Sequence, residues 1–203
     1  MNGLRKQEQY HHGDLKASVL KRSAEIISEQ GIEALSLRAV ARDLGVSHGA
    51  PNRHFKSKAD LLATLAADIW QKMQNATLAA AKNLESADPK HYLNALGRGY
   101  LRWALENRSE FQAISHPDLR RYADDNVRSA QDEFLAVIRK AVVAAQKKGR
   151  HAKVDSNVLT LYTNSVPFGC AMILSNDMHK VDAAGIDREQ LIAELIELVV
   201  PLE

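Results

Sequence analysis

The residues best suited to chemistry lie between Ser36 and Lys58, in a stretch that reads SLRAVARDLGVSHGAPNRHFKSK. Arginine hydrogen-bonds to guanine edges or to phosphates, and asparagine reads adenine in the major groove of DNA. Lysine neutralises phosphates and releases their counterions. These residue types predict contact with double-stranded DNA.

The segment that begins at Ser47 has two different sides. Pro51 and Phe55 are apolar and four positions apart, so on a helix they face the core together. The other side is polar and contains a glycine, which lets a backbone approach DNA closely. The candidate DNA-contacting residues, with their flanking positions, are Arg38, Ser47, His48, Gly49, Ala50, Asn52, Arg53, His54, Lys56 and Lys58.

Two short helices must position these side chains. Ser36 is a suitable N-cap for the first, whose Leu37, Val40 and Leu44 recur at helical spacing. Gly45 ends it, and Ser47 is a second N-cap candidate that starts another short helix at a steep angle. A helix-turn-helix of this kind can insert its second helix into the major groove.

Less specific interpretations remain for several of these residues. A helix-turn-helix also occurs as a plain packing unit. Arg53 could form a surface ion pair with Asp43 or Asp60, and His54 could pack or cap rather than read a base. Residues 1–12, which include basic and histidine side chains, could form a flexible arm that reaches the minor groove or a disordered end.

Helical periodicity extends over almost the whole chain, and no segment has a sustained period of two. The predicted fold is therefore all-α, with about nine helices: an N-terminal three-helix domain followed by a helical bundle. Residues 115–118 are expected to form a loop, and Pro167 to kink the eighth helix. Predicted helix starts are Ser36, Ser47, Ser57, Ser156 and Asp187, and predicted ends are Gly31, Gly45, Gly149 and Pro201.

Composition excludes several classes of protein. The net charge is only +2, but residues 1–60 hold 10 Lys/Arg against 7 Asp/Glu, so the positive charge lies at the N-terminal end. Cys170 is the only cysteine, so no intramolecular disulfide can form. No apolar run resembles a signal peptide, and Val158 to Leu174 is interrupted and shorter than the roughly 20 apolar residues of a membrane span. We expect a soluble, cytoplasmic protein.

Enzymatic activity and a metal site have little support. No nucleophile motif, phosphate-binding loop or metal-ligand spacing is present, and a hydrolase would depend on His116 and Asp118 alone. His11, His12 and Asp14 lack the i, i+4 geometry of helical metal ligands. We therefore expect neither an enzyme nor a bound cofactor.

The N-terminal third resembles the TetR/AcrR family of one-component regulators, over roughly residues 14–65. The matching parts, in order, are a helix ending at Gly31, Leu35-Ser36-Leu37-Arg38-Ala39-Val40-Ala41, Gly45-Val46-Ser47, Arg53-His54-Phe55, Ser57-Lys58 and Leu61-Leu62. A weaker resemblance to one branch of the family covers Tyr100 to Asn107 and Phe111. Asn52 departs from the pattern, because the family usually has tyrosine there, so the operator preference of relatives does not carry over.

The resemblance implies that the two parts of the chain have different functions. Residues 1–58 form the DNA-binding domain, in which the helix from Ser47 is the recognition helix and Lys58 contacts a phosphate. Residues 59–203 form a domain for binding a small-molecule effector and for dimerisation. The expected function is a ligand-responsive repressor that binds a palindromic operator as a homodimer, and the alternative is a helical ligand-binding or interaction module without specific DNA binding.

Residues for the effector pocket and the dimer interface are also expected. Large aromatic side chains at helical spacing either line a pocket or fill a solid core. The pocket candidates are Trp70, Met73, Tyr100, Trp103, Phe111, Phe134 and Tyr162. The last two helices are expected to pair with a second copy in a four-helix interface. Its candidates are Leu159, Tyr162, Met172, Leu191, Leu195 and Leu198.

Overall fold

The computed structural model describes residues 15–84, 88–149, 151–176 and 187–201, so the predicted arm over residues 1–12 lies outside the described residues. All regular structure within these ranges is helical. The α-helices are α1 Leu15–Gln30, α2 Leu37–Asp43, α3 Lys58–Ala81, α4 Pro89–Glu106, α5 Arg108–Ser115, α6 Pro117–Arg120, α7 Asp125–Lys147, α8 Ser156–Ser175 and α9 Arg188–Val199. Short 3-10 helices cover Ile32–Ala34, Pro51–Arg53 and Lys82–Leu84. The all-α prediction is confirmed.

Helix ends in the N-terminal region follow the local signals. The Ser36 hydroxyl accepts a hydrogen bond from the backbone N–H of Ala39 at 3.1 Å and caps α2. Gly45 has a φ of 66°, a left-handed conformation that allows the chain to leave α2 abruptly. The Ser57 hydroxyl accepts from the N–H of Asp60 at 3.1 Å, and the Asp60 carboxylate accepts from the N–H of Lys56 at 2.8 Å. The first bond is the N-cap half of the predicted capping box of α3, whereas the Asp60 carboxylate accepts from the N–H of the residue before the cap instead of from that of Ser57.

The segment that begins at Ser47 is shorter than the helix predicted there. Most of its backbone bonds join residues three apart, such as Ala50 N–H to the Ser47 carbonyl at 2.9 Å and Arg53 N–H to the Ala50 carbonyl at 3.3 Å, and one bond, from Phe55 N–H to the Pro51 carbonyl at 3.0 Å, joins residues four apart. Only Pro51–Arg53 forms a regular helix, and it is of the 3-10 type. Proline has no backbone N–H to donate at its centre, and so short a segment holds few i→i+4 bonds.

Two other predicted boundaries are wrong. Asp155, rather than Ser156, caps α8, because its carboxylate accepts from the N–H of Asn157 at 2.9 Å. Residues 115–118 are not all loop, because Pro117 opens the single turn of α6 and the His116 ring accepts from the N–H of Asp118 at 3.2 Å. Pro at the first helical position and a side-chain acceptor before it are sufficient to start such a turn.

One hydrophobic core joins the helix-turn-helix to the rest of the described chain. Buried side chains from α1, α3, α4, α5, α8 and α9 form a continuous cluster. Helix α3 contributes Leu61, which lies beside the N-terminal helices, and Met73, which lies farther along in the helical body. Gly99 lets α4 approach α3 closely, since a β-carbon there would lie 2.6 Å from the Cβ of Ala80. Because the N-terminal helices pack against α3, a movement of α3 would displace them.

A smaller second core lies at the other end of the body. It is formed by α3, α4, α7, α8 and α9, with Leu93, Val142 and Leu159 among its buried members. Helix α8 is the only helix in the described ranges that is long and apolar enough to cross a membrane. Length and composition alone are weak grounds for a span, because core helices of globular proteins share them.

Candidate DNA-binding surface and effector cavity

The segment from Ser47 to Phe55, here called the recognition segment, has the two sides that the spacing predicts. Pro51 is buried, and Phe55 is 1% exposed in the larger core. The opposite side is open to solvent. Its exposed residues are Ser47, His48, Gly49, Asn52 and Arg53, together with Arg38 on α2 and Lys56 after the segment.

The Arg53 side chain forms no ion pair or hydrogen bond among the described residues. Asp43 is held by Arg22, whose guanidinium lies 3.1 Å from its carboxylate. Asp60 accepts from the backbone N–H of Lys56 instead. The two carboxylates that could have neutralised Arg53 are thus engaged elsewhere, and the side chains of Arg38 and Asn52 have no partner in the described chain either.

Arg22 is a supporting residue that sequence reasoning missed. Its guanidinium bonds to Glu25 on α1 at 2.9 Å and to Asp43 at the end of α2 at 3.1 Å. The bond to Glu25 is the main cause that raises the pKa of Arg22 above its usual value. This cluster holds α2 at a set angle to α1, and the only sequence signal for it is an unremarkable i, i+3 pair.

Three of the predicted DNA contacts are less available than the rest. Ala50 is half-buried against the core, and His54 is half-buried with its ring 6.3 Å from that of Phe55. The Lys58 ammonium donates to the carbonyl of Ile32 at 2.7 Å, which ties the start of α3 to the turn after α1. An ammonium has three donors, so the other two N–H groups of Lys58 are still free to reach a phosphate.

A cavity of about 370 Å³ lies in the body of the molecule. Helices α3, α4, α5, α7, α8 and α9 contribute to its walls, which are mainly apolar. Aromatic rings meet edge-on there: Trp70 with Phe134 at 5.9 Å, and Phe111 with both Tyr100 at 6.4 Å and Phe168 at 5.9 Å. A volume of this size is typical of a small-molecule site.

The predicted pocket residues separate into two groups. Met73, Tyr100, Phe111 and Phe134 line the cavity, as does Trp70. The other two predicted pocket residues, Trp103 and Tyr162, do not line it.

Position along α4 explains why Trp103 lies elsewhere, and helix phase explains why Tyr162 does. Trp103 is almost one turn beyond Tyr100 on α4, past the end of the cavity, and is buried in the core shared with α1. Tyr162 is on the outer side of α8 and is 47% exposed, whereas the next residue, Thr163, faces the cavity.

The cavity has several polar groups, and three of the residues that carry them, Ser115, Arg120 and Thr163, were not predicted as pocket residues from the sequence. The Trp70 indole nitrogen, the Ser115 hydroxyl and the Thr163 hydroxyl are buried without a hydrogen-bond partner. Arg120 also lines the cavity. Burial raises the pKa of the Tyr100 hydroxyl above its usual value. No local pattern points to these positions, because they come together from separate helices.

The outer faces of α8 and α9 carry exposed apolar side chains. Leu161 is 68% exposed and Leu198 is 78% exposed, and Val158 and Tyr162 lie on the same face of α8 as Leu161. Of the predicted interface residues, Leu198 is therefore fully available, and Met172, Leu191 and Leu195 are half-buried.

Leu159 is the exception among the predicted interface residues. It is 3% exposed and fills the second core, so it is not available to a partner. Apolar residues occur on every side of α8, and its own sequence does not show which side faces inward.

The residues weighed as metal ligands or as hydrolase groups form no such site where the structure describes them. In the described ranges no three His, Cys, Asp or Glu side chains lie close enough to hold a metal ion. His11, His12 and Asp14 lie outside those ranges. Asp118 is paired with Arg121 at 2.9 Å, and its N–H bonds to the ring of His116, which is the geometry of a helix start.

A helix-turn-helix with an unpaired basic side, joined to a helical body with a cavity, defines a DNA-binding regulator. Comparison with known proteins agrees. The family described as "Bacterial regulatory proteins, tetR family" matches residues 19–65, and the "Tetracyclin repressor-like, C-terminal domain" matches residues 93–199, more than half of the chain. The chain belongs to the TetR family of transcriptional regulators, which bind DNA and are not enzymes.

Solved structures share the fold over nearly the full length. A protein described as of unknown function from Rhodococcus sp. RHA1 is 25% identical, with 95% of this chain and 97% of that chain covered and a TM-score of 0.69. The TetR family regulator PfmR from Thermus thermophilus is 24% identical, with coverage of 91% and 98% and a TM-score of 0.63. A TetR family regulator from Marinobacter aquaeolei VT8 is 15% identical, with coverage of 93% and 96% and a TM-score of 0.71. No curated protein sequence matches significantly.

Proposed function

We propose that the protein is a cytoplasmic, ligand-responsive repressor that binds a palindromic operator as a homodimer. The observation that carries this proposal is the unpaired polar side of the recognition segment, above all Arg53, which is exposed and has no carboxylate partner in the described chain. A free guanidinium on a surface element matches what guanine edges and phosphates require.

Contacts to DNA divide into two kinds. His48, Asn52 and Arg53 are assigned to base edges, because they project from the centre of the recognition segment. Arg38 and Lys56 flank it and are assigned to phosphates, together with the free donors of Lys58. Phosphate contacts position the protein, and base contacts supply sequence preference.

A second copy of the chain is expected to pair through α8 and α9. Exposed leucines are costly on a monomer surface unless they are covered, and Leu161 and Leu198 are both more than two-thirds exposed. Two antiparallel helix pairs related by a two-fold axis would form a four-helix interface. Two recognition segments would then face half-sites about one turn of B-DNA, or a multiple of it, apart.

Helix α3 provides the route from effector to DNA. It begins next to the recognition segment and passes the cavity, where Trp70, Met73 and Thr77 form part of the wall. An effector that shifts this half of α3 changes the separation of the recognition segments in the dimer. The effector must bind the DNA-incompetent state more tightly, and operator DNA must weaken effector binding by the same factor.

Selection of bound fragments from sheared genomic DNA tests the proposal. The full chain is expected to enrich fragments that contain an inverted repeat, and mobility shifts on those fragments are expected to show two protomers per site. Enrichment of nothing above background would contradict specific binding and favour a helical module without it. Enrichment of an asymmetric site bound by one protomer would contradict the palindromic operator.

A further inference from the structure

The cavity has one charged lining residue in the described chain, and that residue is a cation. Arg120 lies at the rim, where it is exposed, and no aspartate or glutamate is among the lining residues. Its nearest acidic neighbour in sequence, Asp118, is paired with Arg121 at 2.9 Å. A cation without a counter-charge at the mouth of an apolar cavity favours a ligand that carries a negative charge.

Polar atoms beside Arg120 point to the same chemistry. The Arg120 guanidinium makes only a long hydrogen bond, 3.4 Å to the carbonyl of Ser115. Ser115 also lines the cavity, and its hydroxyl is buried without a hydrogen-bond partner. The guanidinium and hydroxyl of these two contacting residues can both donate to the oxygens of a carboxylate.

The rest of the cavity suits an apolar body. Edge-on rings of Phe111, Phe168 and Tyr100 form one part of the wall, and Trp70 with Phe134 forms another. Since a water-sized group occupies about 30 Å³ of liquid volume, the 370 Å³ cavity has room for roughly a dozen non-hydrogen atoms.

A second polar point lies in the interior. Thr163 is 6% exposed, and its hydroxyl has no partner, nor has the indole N–H of Trp70. Both can donate, and the indole can only donate. They can bind an oxygen atom carried on the body of a ligand.

We propose that the effector is a monocarboxylate with an apolar chain or ring of roughly ten non-hydrogen atoms. Its carboxylate binds Arg120 and the Ser115 hydroxyl at the rim, and its body lies among the aromatic rings. This inference depends on the cavity being the effector site, as set out under the proposed function. An oxygen substituent on the body would bind Thr163 or Trp70.

Calorimetric titration of the full chain with octanoate, octan-1-ol and octylamine tests the charge preference. The three probes share one chain and differ in the head group. Octanoate is expected to bind about tenfold more tightly than octan-1-ol, and octylamine more weakly than either, because only the carboxylate gains charge-assisted bonds. Raising the salt concentration is expected to reduce this preference, since the rim is open to solvent.

Variants locate the head group. Arg120→Gln is expected to make octanoate and octan-1-ol bind alike, whereas Arg139→Gln, at an exposed arginine on α7 that does not line the cavity, should keep the preference. Fluorescence of Trp70 in a Trp103→Phe background gives a second measurement that reports on the cavity itself.

Three results would overturn the inference: no preference for octanoate in the unaltered protein, retention of the preference in Arg120→Gln, or no binding of any probe. DNA binding is measured separately by fragment selection. If a compound of another class releases the protein from its operator, the proposed repressor function holds and the proposed carboxylate effector is wrong. If octanoate binds tightly but no operator is found, only the proposed repressor function is wrong.

Discussion

Arg53 is the side chain on which the DNA-binding surface depends most. It is exposed, and the nearby carboxylates of Asp43 and Asp60 are occupied by Arg22 and by the N–H of Lys56. Arg53→Ala is expected to lower operator affinity by about 1–3 kcal/mol for each half-site, the usual value of one bidentate arginine contact. The oligomeric state and the unfolding temperature should not change. Mobility shifts at physiological salt measure this loss, with Arg139→Ala on the exposed side of α7 as the control.

Undiminished affinity of the Arg53→Ala protein would show that the polar side of the recognition segment does not meet the bases. A loss of equal size in the Arg139→Ala protein would indicate a general charge effect instead. The comparison requires that both proteins elute as the same assembly.

Variants of Lys56 and Lys58 separate a contact to phosphate from a contribution to stability. Lys56 is exposed, whereas the Lys58 ammonium holds the carbonyl of Ile32 at 2.7 Å. Each alanine variant is expected to flatten the dependence of log K on log salt by about 0.9 for each phosphate that is no longer neutralised. Only Lys58→Ala should also lower the free energy of unfolding, by about 1 kcal/mol for its hydrogen bond to Ile32. Salt titration of operator binding and urea denaturation separate the two effects.

An unaltered salt slope in Lys58→Ala, combined with lower stability, would mean that Lys58 is purely structural. An unaltered salt slope in both variants would contradict the phosphate contacts assigned to Lys56 and Lys58.

At the scale of elements, α5 connects the DNA-binding helices to the cavity. Gln112 accepts a hydrogen bond from Ser28 on α1, and its amide donates to the carbonyl of Ser175 at 2.7 Å and to Asn176 at 3.1 Å. The preceding residue, Phe111, lies in the cavity wall. One short helix therefore touches α1, the end of α8 and the cavity.

Gln112→Leu is expected to weaken this connection. Removal of these bonds should lower the free energy of unfolding by about 1–3 kcal/mol, because partners with restricted access to water are left unpaired. Amide protons of α1 should exchange faster with solvent. Urea denaturation and hydrogen exchange measure both, with Gln71→Leu as the control, since Gln71 is exposed on α3. Equal exchange in the two variants would show that Gln112 does not hold α1.

At the scale of the whole molecule, the outer faces of α8 and α9 decide the assembly. Leu161→Glu and Leu198→Glu place charges where the chain itself has no packing, so each variant should fold normally. Each is expected to shift the protein to a monomer and to weaken operator binding by roughly a hundredfold, since two linked half-site contacts become one. Sedimentation and mobility shifts measure these changes.

Tyr122→Glu, at an exposed aromatic position that belongs to neither helix, is the control for the assembly experiment. An unchanged mass in both leucine variants would contradict an interface on α8 and α9. A monomeric unaltered protein that still binds an inverted repeat would contradict the homodimer in solution.

The sequence by itself determined the features that depend on residues close together in the chain. Ser36, Gly45 and Ser57 set helix ends through bonds to backbone groups within a few residues. The spacing of Pro51 and Phe55 also determined which side of the recognition segment is buried. Local geometry suffices for such features, so the all-helical fold and the exposed polar side could be predicted.

Only the tertiary structure decided the features that depend on packing between distant helices. Arg53 is unpaired because Arg22, from another helix, holds Asp43. Trp103 and Leu159 are core residues rather than pocket or interface residues, because an apolar side chain suits either environment. The polar atoms of the cavity meet only when α3, α5 and α8 converge, and no spacing along one helix carries that information.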